Sequence, residues 1–364
     1  MSKKIIIAGG GTGGHIFPAI AIANALKKHQ PDIDILFVGA KNKMEMEKVP
    51  QAGYEIKGID IAGFNRSSLI KNIGLPWKLI KSFLQVRRIV KDFRPNAVIG
   101  VGGYSTFPVL KYAQRQGIPT FIHESNSFAG KANKMLAKGV VKVFTGTDGM
   151  EKFFPVEKIM VTGNPVRSQI VNCQTISQNE ALEYFDLEPG KTTLLVVGGS
   201  LGARSINEAV LAGVNDLLKA NLQLIWQTGK TMAADAAQVA AEHKQVWANE
   251  FIREMEYAYA AADVIIARAG AMTVAEVCVA AKPTIFVPYP FAAEDHQTAN
   301  AKQLVDKNAA LMVSDAEAKD KVVKMAIKLA ADKSKRLEMS QQLEKLAIID
   351  ADERVAKEVL KCIE

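Results

Sequence analysis

Short apolar runs alternate with longer amphipathic stretches along the whole chain. Residues 4–8, 33–38, 97–101, 120–123 and 141–144 form continuous runs rich in Val and Ile. Strands covered by helices on both faces have this pattern, so each run predicts a strand of a parallel sheet. A second series at 193–197, 222–226, 264–267, 284–287 and 310–313 repeats it. Between the strands, apolar residues recur at helical spacing. Ala19, Ile22, Ala23 and Leu26 share one face, as do Val274, Val277 and Cys278. Strand alternating with helix predicts an α/β fold of doubly wound parallel-sheet units.

The series restarts partway. A strand runs into glycines at 5–14 and again at 194–202, so the chain reads as two similar halves. The junction falls near Gly163, Asn164, Pro165, Val166 and Arg167, ahead of the polar stretch 172–180. This predicts an N-terminal Rossmann-like domain over 1–164 and a C-terminal one over 165–345. The segment 346–364 carries Val355, Val359 and Leu360 on one helix face, and it is expected to pack back on the first domain.

Composition narrows the classes. With 364 residues, 48% hydrophobic and 23% charged, the chain has the composition of a folded protein of about two domains. A net charge of +8 suits anionic partners: nucleic acid, acidic lipid or a phosphorylated substrate. A nucleic-acid module would need interleaved aromatics or a helix-turn-helix, and neither is present. Cys173, Cys278 and Cys362 are scattered, which argues against a disulfide framework or a zinc site. No apolar run approaches the roughly 18 residues of a membrane span, so a cytosolic protein is expected, with peripheral membrane contact left open.

The candidate chemistry sits in glycine-bearing turns. Gly9, Gly10, Gly11, Thr12, Gly13, Gly14 and His15 link a strand to a helix, where free amides and the helix dipole favour an anion. Gly9, Gly11 and Gly14 also satisfy G-x-G-x-x-G. A dinucleotide site would need an acid near the end of the second strand, and 37–41 supplies none. A second turn, Gly100 to Pro108, follows another strand, and Ser105 or Thr106 is expected to cap its helix. Together these two turns suit a diphosphate-bearing acceptor at Gly102, Gly103 and Tyr104. A third turn brings Ser200 and Arg204, the latter either a phosphate fork or a surface cation. The fourth, Arg268 to Glu276, opens a helix. By spacing alone Glu276 reads as a helix-surface carboxylate. No Walker A loop is formed, because Leu224 stands where its first glycine belongs. No metal cluster is evident.

The set GGGTGGH (9–15), GVGGYSTFP (100–108), HESN (123–126), GNPVR (163–167), GGSLGAR (198–204), RAGAMTVAE (268–276) and DHQTANA (295–301) resembles the MurG family. These are the bacterial UDP-N-acetylglucosamine–N-acetylmuramyl-(pentapeptide) pyrophosphoryl-undecaprenol N-acetylglucosamine transferases. The resemblance keeps the family's motif order and spans nearly the whole chain. It implies a GT-B architecture, with two Rossmann-like domains facing a cleft. It implies inverting transfer of GlcNAc from UDP-GlcNAc to the 4-hydroxyl of the muramyl sugar of lipid I, giving lipid II for peptidoglycan. UDP-GlcNAc is then a co-substrate, with no cofactor or obligatory metal. Other cell-wall synthesis proteins are expected partners, and the inner membrane's cytoplasmic side the expected location. Another UDP-sugar glycolipid synthase of this fold, and a nicotinamide-dependent dehydrogenase, are the alternatives.

Residue by residue, the resemblance implies donor contacts from Thr12, Gly13, Gly14, Asn126, Arg167, Ser200 and Gln297. Ile252 would read uracil through its backbone. Ala271, Met272, Thr273, Val274 and Ala275 would form the diphosphate-binding helix start, and Glu276 would hold the ribose. Thr298 stands where some members carry a second Gln, so Gln297 is the expected contact. His15, at the loop–helix junction, is the candidate general base, since a helix N-terminus keeps an imidazole neutral. A lipid acceptor also requires membrane contact. Ile73, Trp77, Ile80 and Leu84, with Lys78 and Lys81 alongside, combine apolar anchors and cations that suit an anionic bilayer surface.

Overall fold

The computed structural model describes residues 2–61, 75–199 and 202–363. The chain divides into two compact units: Met1–Val166 with Asp350–Glu364, and Arg167–Ile349.

In the first unit the order is β1 (Lys4–Ala8), α1 (Gly13–His29), β2 (Asp34–Ala40), α2 (Glu45–Gln51), β3 (Glu55–Ile59), α3 (Leu75–Phe93), β4 (Ala97–Gly100), α4 (Thr106–Arg115), β5 (Thr120–Glu124), α5 (Lys131–Leu136), β6 (Lys142–Thr145) and β7 (Ile159–Val161). All pairs are parallel, in the order β3-β2-β1-β4-β5-β6-β7. The sheet explains the unbroken apolar run of β1. Ile5 and Ile7 enter one core with Ile22 and Leu26 of α1, while Ile6 and Ala8 enter the other with Val86 of α3 and Leu110 of α4. Successive side chains point to opposite faces, and here both faces are dry.

The second unit contains α6 (Ser168–Val171), α7 (Gln178–Tyr184), β8 (Thr192–Val197), α8 (Arg204–Lys219), β9 (Leu222–Gln227), α9 (Ala233–Glu242), β10 (Val246–Asn249), α10 (Met255–Ala261), β11 (Val264–Ala267), α11 (Ala271–Ala280), β12 (Thr284–Phe286), α12 (His296–Val305), β13 (Ala310–Met312), α13 (Ala318–Ala331) and α14 (Lys333–Leu346). Its parallel sheet runs β10-β9-β8-β11-β12-β13.

The last helix, α15 (Ala351–Cys362), belongs to the first unit. Val355, Ala356 and Val359 are fully buried in the α1 core. Each valine contributes roughly 1.5–3 kcal/mol on burial. Glu353 clips the contact by pairing with Lys28 and His29. The segment grouped with the first unit begins at Asp350, and α14 runs to Leu346 within the second unit.

In each sheet the chain winds outward in both directions from a central pair, β1/β4 in the first unit and β8/β11 in the second. Loops leaving the carboxyl ends of such a pair diverge and open a crevice, the usual ligand position in an open α/β sheet. The glycine turns at 9–14 and 101–105 leave β1 and β4. The turn at 268–270 leaves β11.

Candidate active site

In the first unit the two glycine turns are locked to each other. Gly10 N–H donates to Gly102 O at 3.2 Å, and Gly9 N–H to Val38 O at 3.2 Å. A Cβ on Gly103 would stand 2.3 Å from Gly10 O, so only glycine fits there. Neither Ser105 nor Thr106 caps α4. Ser105 is already helical and makes no cap hydrogen bond. Thr106 Oγ1 instead lies 3.0 Å from Ala8 O and 2.9 Å from Gly102 O, where it stitches the second turn to the end of β1.

His15 lies in the first turn of α1, half-buried, with its ring against Gly102. Its Nδ1 is 3.1 Å from Gly10 O and 3.4 Å from Thr12 Oγ1. A carbonyl can only accept, so a neutral ring carries its proton on Nδ1 and its basic lone pair on Nε2. Thr12, Gly13 and Gly14 begin the same helix, and Tyr104 stands exposed on the neighbouring turn. The structure therefore gathers His15, Thr12, Gly13, Gly14, Gly102, Gly103 and Tyr104 at one switch point.

Two carboxylates to which the sequence reading gave no role organise this unit. Glu45, buried at the start of α2, accepts from Gly11 N at 2.8 Å and Ala40 N at 3.0 Å. An acid does stand near the end of β2, then, but it is turned inward onto the loop rather than toward a ribose. Glu124, also buried, accepts from Asn126 N and Nδ2, Gly130 N and Asn133 Nδ2 at 2.9–3.2 Å. The carboxamide of Asn126 is thus oriented by the neighbouring acid of HESN. His123 of the same motif is fully buried. Burial holds its pKa down to about 4, against the opposing effect of the hydrogen bond to the Gly163 carbonyl.

In the second unit Glu276 lies on α11 and is only 8% exposed, which corrects the helix-surface reading. Its Oε1 pairs with Arg167 Nη2 at 3.0 Å, and its Oε2 accepts from Tyr259 Oη at 3.0 Å. Tyr259 is fully buried on α10. That burial, reinforced by Glu276, pushes its phenol well above the ordinary tyrosine value, so it stays a donor. Nothing local in the sequence marks Tyr259. Ala271, Met272, Thr273, Val274 and Ala275 form the first turns of α11, after Gly270 in extended conformation. Asn300 of α12 donates to Ala269 O at 3.1 Å and ties DHQTANA to this turn. Gln297 Oε1 accepts from Tyr289 N at 3.0 Å. Thr298 Oγ1 is committed to Asp295 at 2.7 Å. Arg268 braces the site through Asp315, Ser205, Val287 O and Pro288 O.

Ile252 is buried, and its N–H donates to Gln227 Oε1 at 3.2 Å. A base reading that N–H would have to displace the amide. Beside it is a cavity of about 370 Å³ walled by Tyr184, Phe185, Trp247 and Phe251. Arg204 is an exposed cation paired with Glu208 at 2.6 Å. Ser200 lies outside the described residues.

On α3, Trp77, Ile80 and Leu84 are 76%, 53% and 62% exposed, whereas Ser82, Val86, Ile89 and Val90 face the core. The apolar stripe is therefore additional to the packing face. Lys78 is exposed and Lys81 pairs with Asp60 at 3.1 Å. Ile73 lies outside the described residues. Among the described residues no helix is long and apolar enough to cross a membrane, and no cluster of acidic, His or Cys side chains could hold a metal ion.

Two doubly wound parallel sheets, with glycine-bearing turns at their switch points, are the building units of the GT-B fold. The Glycosyltransferase family 28 N-terminal domain matches residues 5–145 and the Glycosyltransferase family 28 C-terminal domain matches 193–355, so the chain belongs to glycosyltransferase family 28. A protein of Phocaeicola vulgatus is 50% identical, over 98% of this chain and 96% of its own length. It is named as a UDP-N-acetylglucosamine–N-acetylmuramyl-(pentapeptide) pyrophosphoryl-undecaprenol N-acetylglucosamine transferase. A protein of Cytophaga hutchinsonii with the same name is 46% identical, over 99% of this chain and 97% of its own length. Among solved structures, Acinetobacter baumannii MurG matches with a TM-score of 0.82 at 30% identity over 99% of each chain. A UDP-N-acetylglucosamine 2-epimerase shares the fold alone, at 14% identity and a TM-score of 0.67 over 99% of this chain and 96% of its own.

Proposed function

We propose that the chain transfers GlcNAc from UDP-GlcNAc to the 4-hydroxyl of the MurNAc-pentapeptide of undecaprenyl-pyrophosphoryl lipid I, with inversion, giving lipid II and UDP. The names carried by its relatives support the substrates. The observation that carries the chemistry is His15, held at Nδ1 by Gly10 O so that Nε2 bears the lone pair. Nε2 takes the acceptor hydroxyl proton as the new bond to the anomeric carbon forms. The bond from that carbon to the diphosphate breaks, and its electron pair leaves on UDP. Amides at Ala271, Met272 and Thr273 meet the growing charge, with Val274 and Ala275 completing that turn. Glu276 accepts from ribose hydroxyls, held for that task by Tyr259 and Arg167. Further donor contacts are assigned, as the family resemblance implies, to Ile252 and Gln297 in the second unit and to Asn126, Thr12, Gly13 and Gly14 in the first. Gly102, Gly103 and Tyr104 receive the acceptor diphosphate.

Trp77, Ile80 and Leu84, with Lys78 and Lys81, rest on the anionic cytoplasmic face of the inner membrane, where the lipid acceptor is presented. The test supplies labelled UDP-GlcNAc and a lipid I analogue to purified protein, with UDP-GalNAc as the control sugar. A labelled disaccharide lipid is expected from UDP-GlcNAc alone, and its absence would sink the reading. His15→Ala is expected to retain nucleotide binding and lose turnover.

A further inference from the structure

Glu45 stands apart from every motif in the chain, yet it is buried to 1% exposure against the first glycine turn. The side chain threads between two glycines. A Cβ on Gly39 would meet Glu45 Cγ at 2.5 Å, and one on Gly10 would meet its carboxyl carbon at 2.3 Å. Both positions must be bare for the carboxylate to reach the loop. Once there, each oxygen takes a backbone amide, Gly11 N at 2.8 Å and Ala40 N at 3.0 Å. A buried acceptor-only group satisfied by two N–H donors is a strong local fastener.

What it fastens is the peptide that orients the candidate base. Gly11 N–H belongs to the same peptide group as Gly10 C=O. That plane is rigid, so anchoring the N–H to Glu45 aims the carbonyl the other way. Gly10 O then meets His15 Nδ1 at 3.1 Å. Both residues flanking this peptide have positive φ, 143° at Gly10 and 90° at Gly11, a conformation that glycine tolerates but that needs an external hold to be unique. Gly103 packs closely on Gly10 O on the side of the second glycine turn.

We propose that Glu45 is a positioning residue for the transfer. By fixing the Gly10–Gly11 peptide, it sets which nitrogen of His15 carries the proton and where Nε2 points. The inference rests on the reading of His15 as the base, and it also explains why this G-x-G-x-x-G turn is no dinucleotide site. The acid that would take a ribose, and the amide at Gly11 that would face a phosphate, are spent on each other.

The test compares wild type, Glu45→Gln, Glu45→Asp and His15→Ala by steady-state kinetics across pH, by UDP-GlcNAc titration and by thermal melting. Gln can accept from only one of the two amides and turns an NH₂ group toward the other. Asp keeps the charge but is one methylene too short to reach both. For Glu45→Gln, kcat should fall by about tenfold or more while the UDP-GlcNAc Kd changes much less, because most of the donor contacts proposed above (Ile252, Glu276, Ala271, Met272, Thr273) belong to the second unit and only Thr12, Gly13 and Gly14 adjoin the altered peptide. The acid limb of the kcat/KM profile should move to lower pH. An imidazolium without its fixed carbonyl acceptor is less stabilised. Asp should fall between, and its profile decides the matter should Gln fail to fold. A lowered melting temperature with an unmoved acid limb and near-normal kcat would reduce Glu45 to a structural residue and overturn the inference. An inactive His15→Ala beside a kinetically normal Glu45→Gln would overturn it while sparing the base. A fully active His15→Ala would remove the base reading and this inference with it.

Discussion

His123 links the acid stability of the first unit to one buried ring. Its Nε2 lies 3.3 Å from Gly163 O, and Ser125 Oγ lies 3.3 Å from Nδ1. A neutral imidazole satisfies both contacts, donating to the carbonyl and accepting from the hydroxyl. Burial lowers its folded pKa from 6.5 to about 4. Between these values the unfolded chain binds the proton and the folded chain does not, so the stabilisation is whole above pH 6.5 and is lost as pH falls toward 4. A shift of about 2.5 units corresponds to roughly 3 kcal/mol in full, of which about 2 kcal/mol is lost between pH 7 and pH 5. Carboxylates titrate over part of this range as well, so the measurement must be a difference. Hydrogen exchange of β5 amides, read by mass spectrometry at both pH values, reports opening of this unit alone. Wild type should lose about 2 kcal/mol more than His123→Gln, whose amide can still donate to Gly163 but does not titrate. Parallel losses in the two proteins would refute the assignment of a neutral, desolvated His123.

Two further outcomes follow from the site and the surface. Tyr259→Phe removes a hydrogen bond to a buried carboxylate and should weaken UDP-GlcNAc binding by roughly tenfold, with kcat at saturating donor nearly unchanged; unchanged binding by calorimetry would show that Glu276 needs no such support. Lys78→Glu with Trp77→Ser should weaken binding to anionic liposomes by roughly tenfold or more in sedimentation assays, while leaving turnover on a soluble acceptor analogue intact; equal liposome binding would dismiss α3 as the contact.

The central strands were legible because burial on both faces writes a continuous apolar run, as in β1 and β11. The strands not anticipated, β3, β7 and β10, are sheet edges. Glu-Ile-Lys-Gly-Ile in β3 alternates outward and inward, and β7 has only three residues, all half-buried, so neither needs a long apolar run. The glycine turns announced themselves, but what holds them did not. Glu45 acts on Gly11 across a gap that no periodicity connects, and the Ser105/Thr106 cap failed because Thr106 has a better use for its hydroxyl at the end of β1. Glu276 looked like a solvated carboxylate because its partners, Arg167 and Tyr259, come from distant parts of the chain. Motif order carried the family. Side-chain commitment inside the motifs, such as the Ile252 N–H given to Gln227, was visible only in three dimensions.

The return of α15 has a consequence for biosynthesis. The second unit is one contiguous stretch, Arg167–Ile349, and every strand and helix it needs has been translated before Asp350 is added. The first unit, although begun earliest, lacks Val355, Ala356 and Val359 until the stretch after Ile349 has been translated. On the ribosome α1 therefore waits with an uncovered apolar face until α15 has emerged.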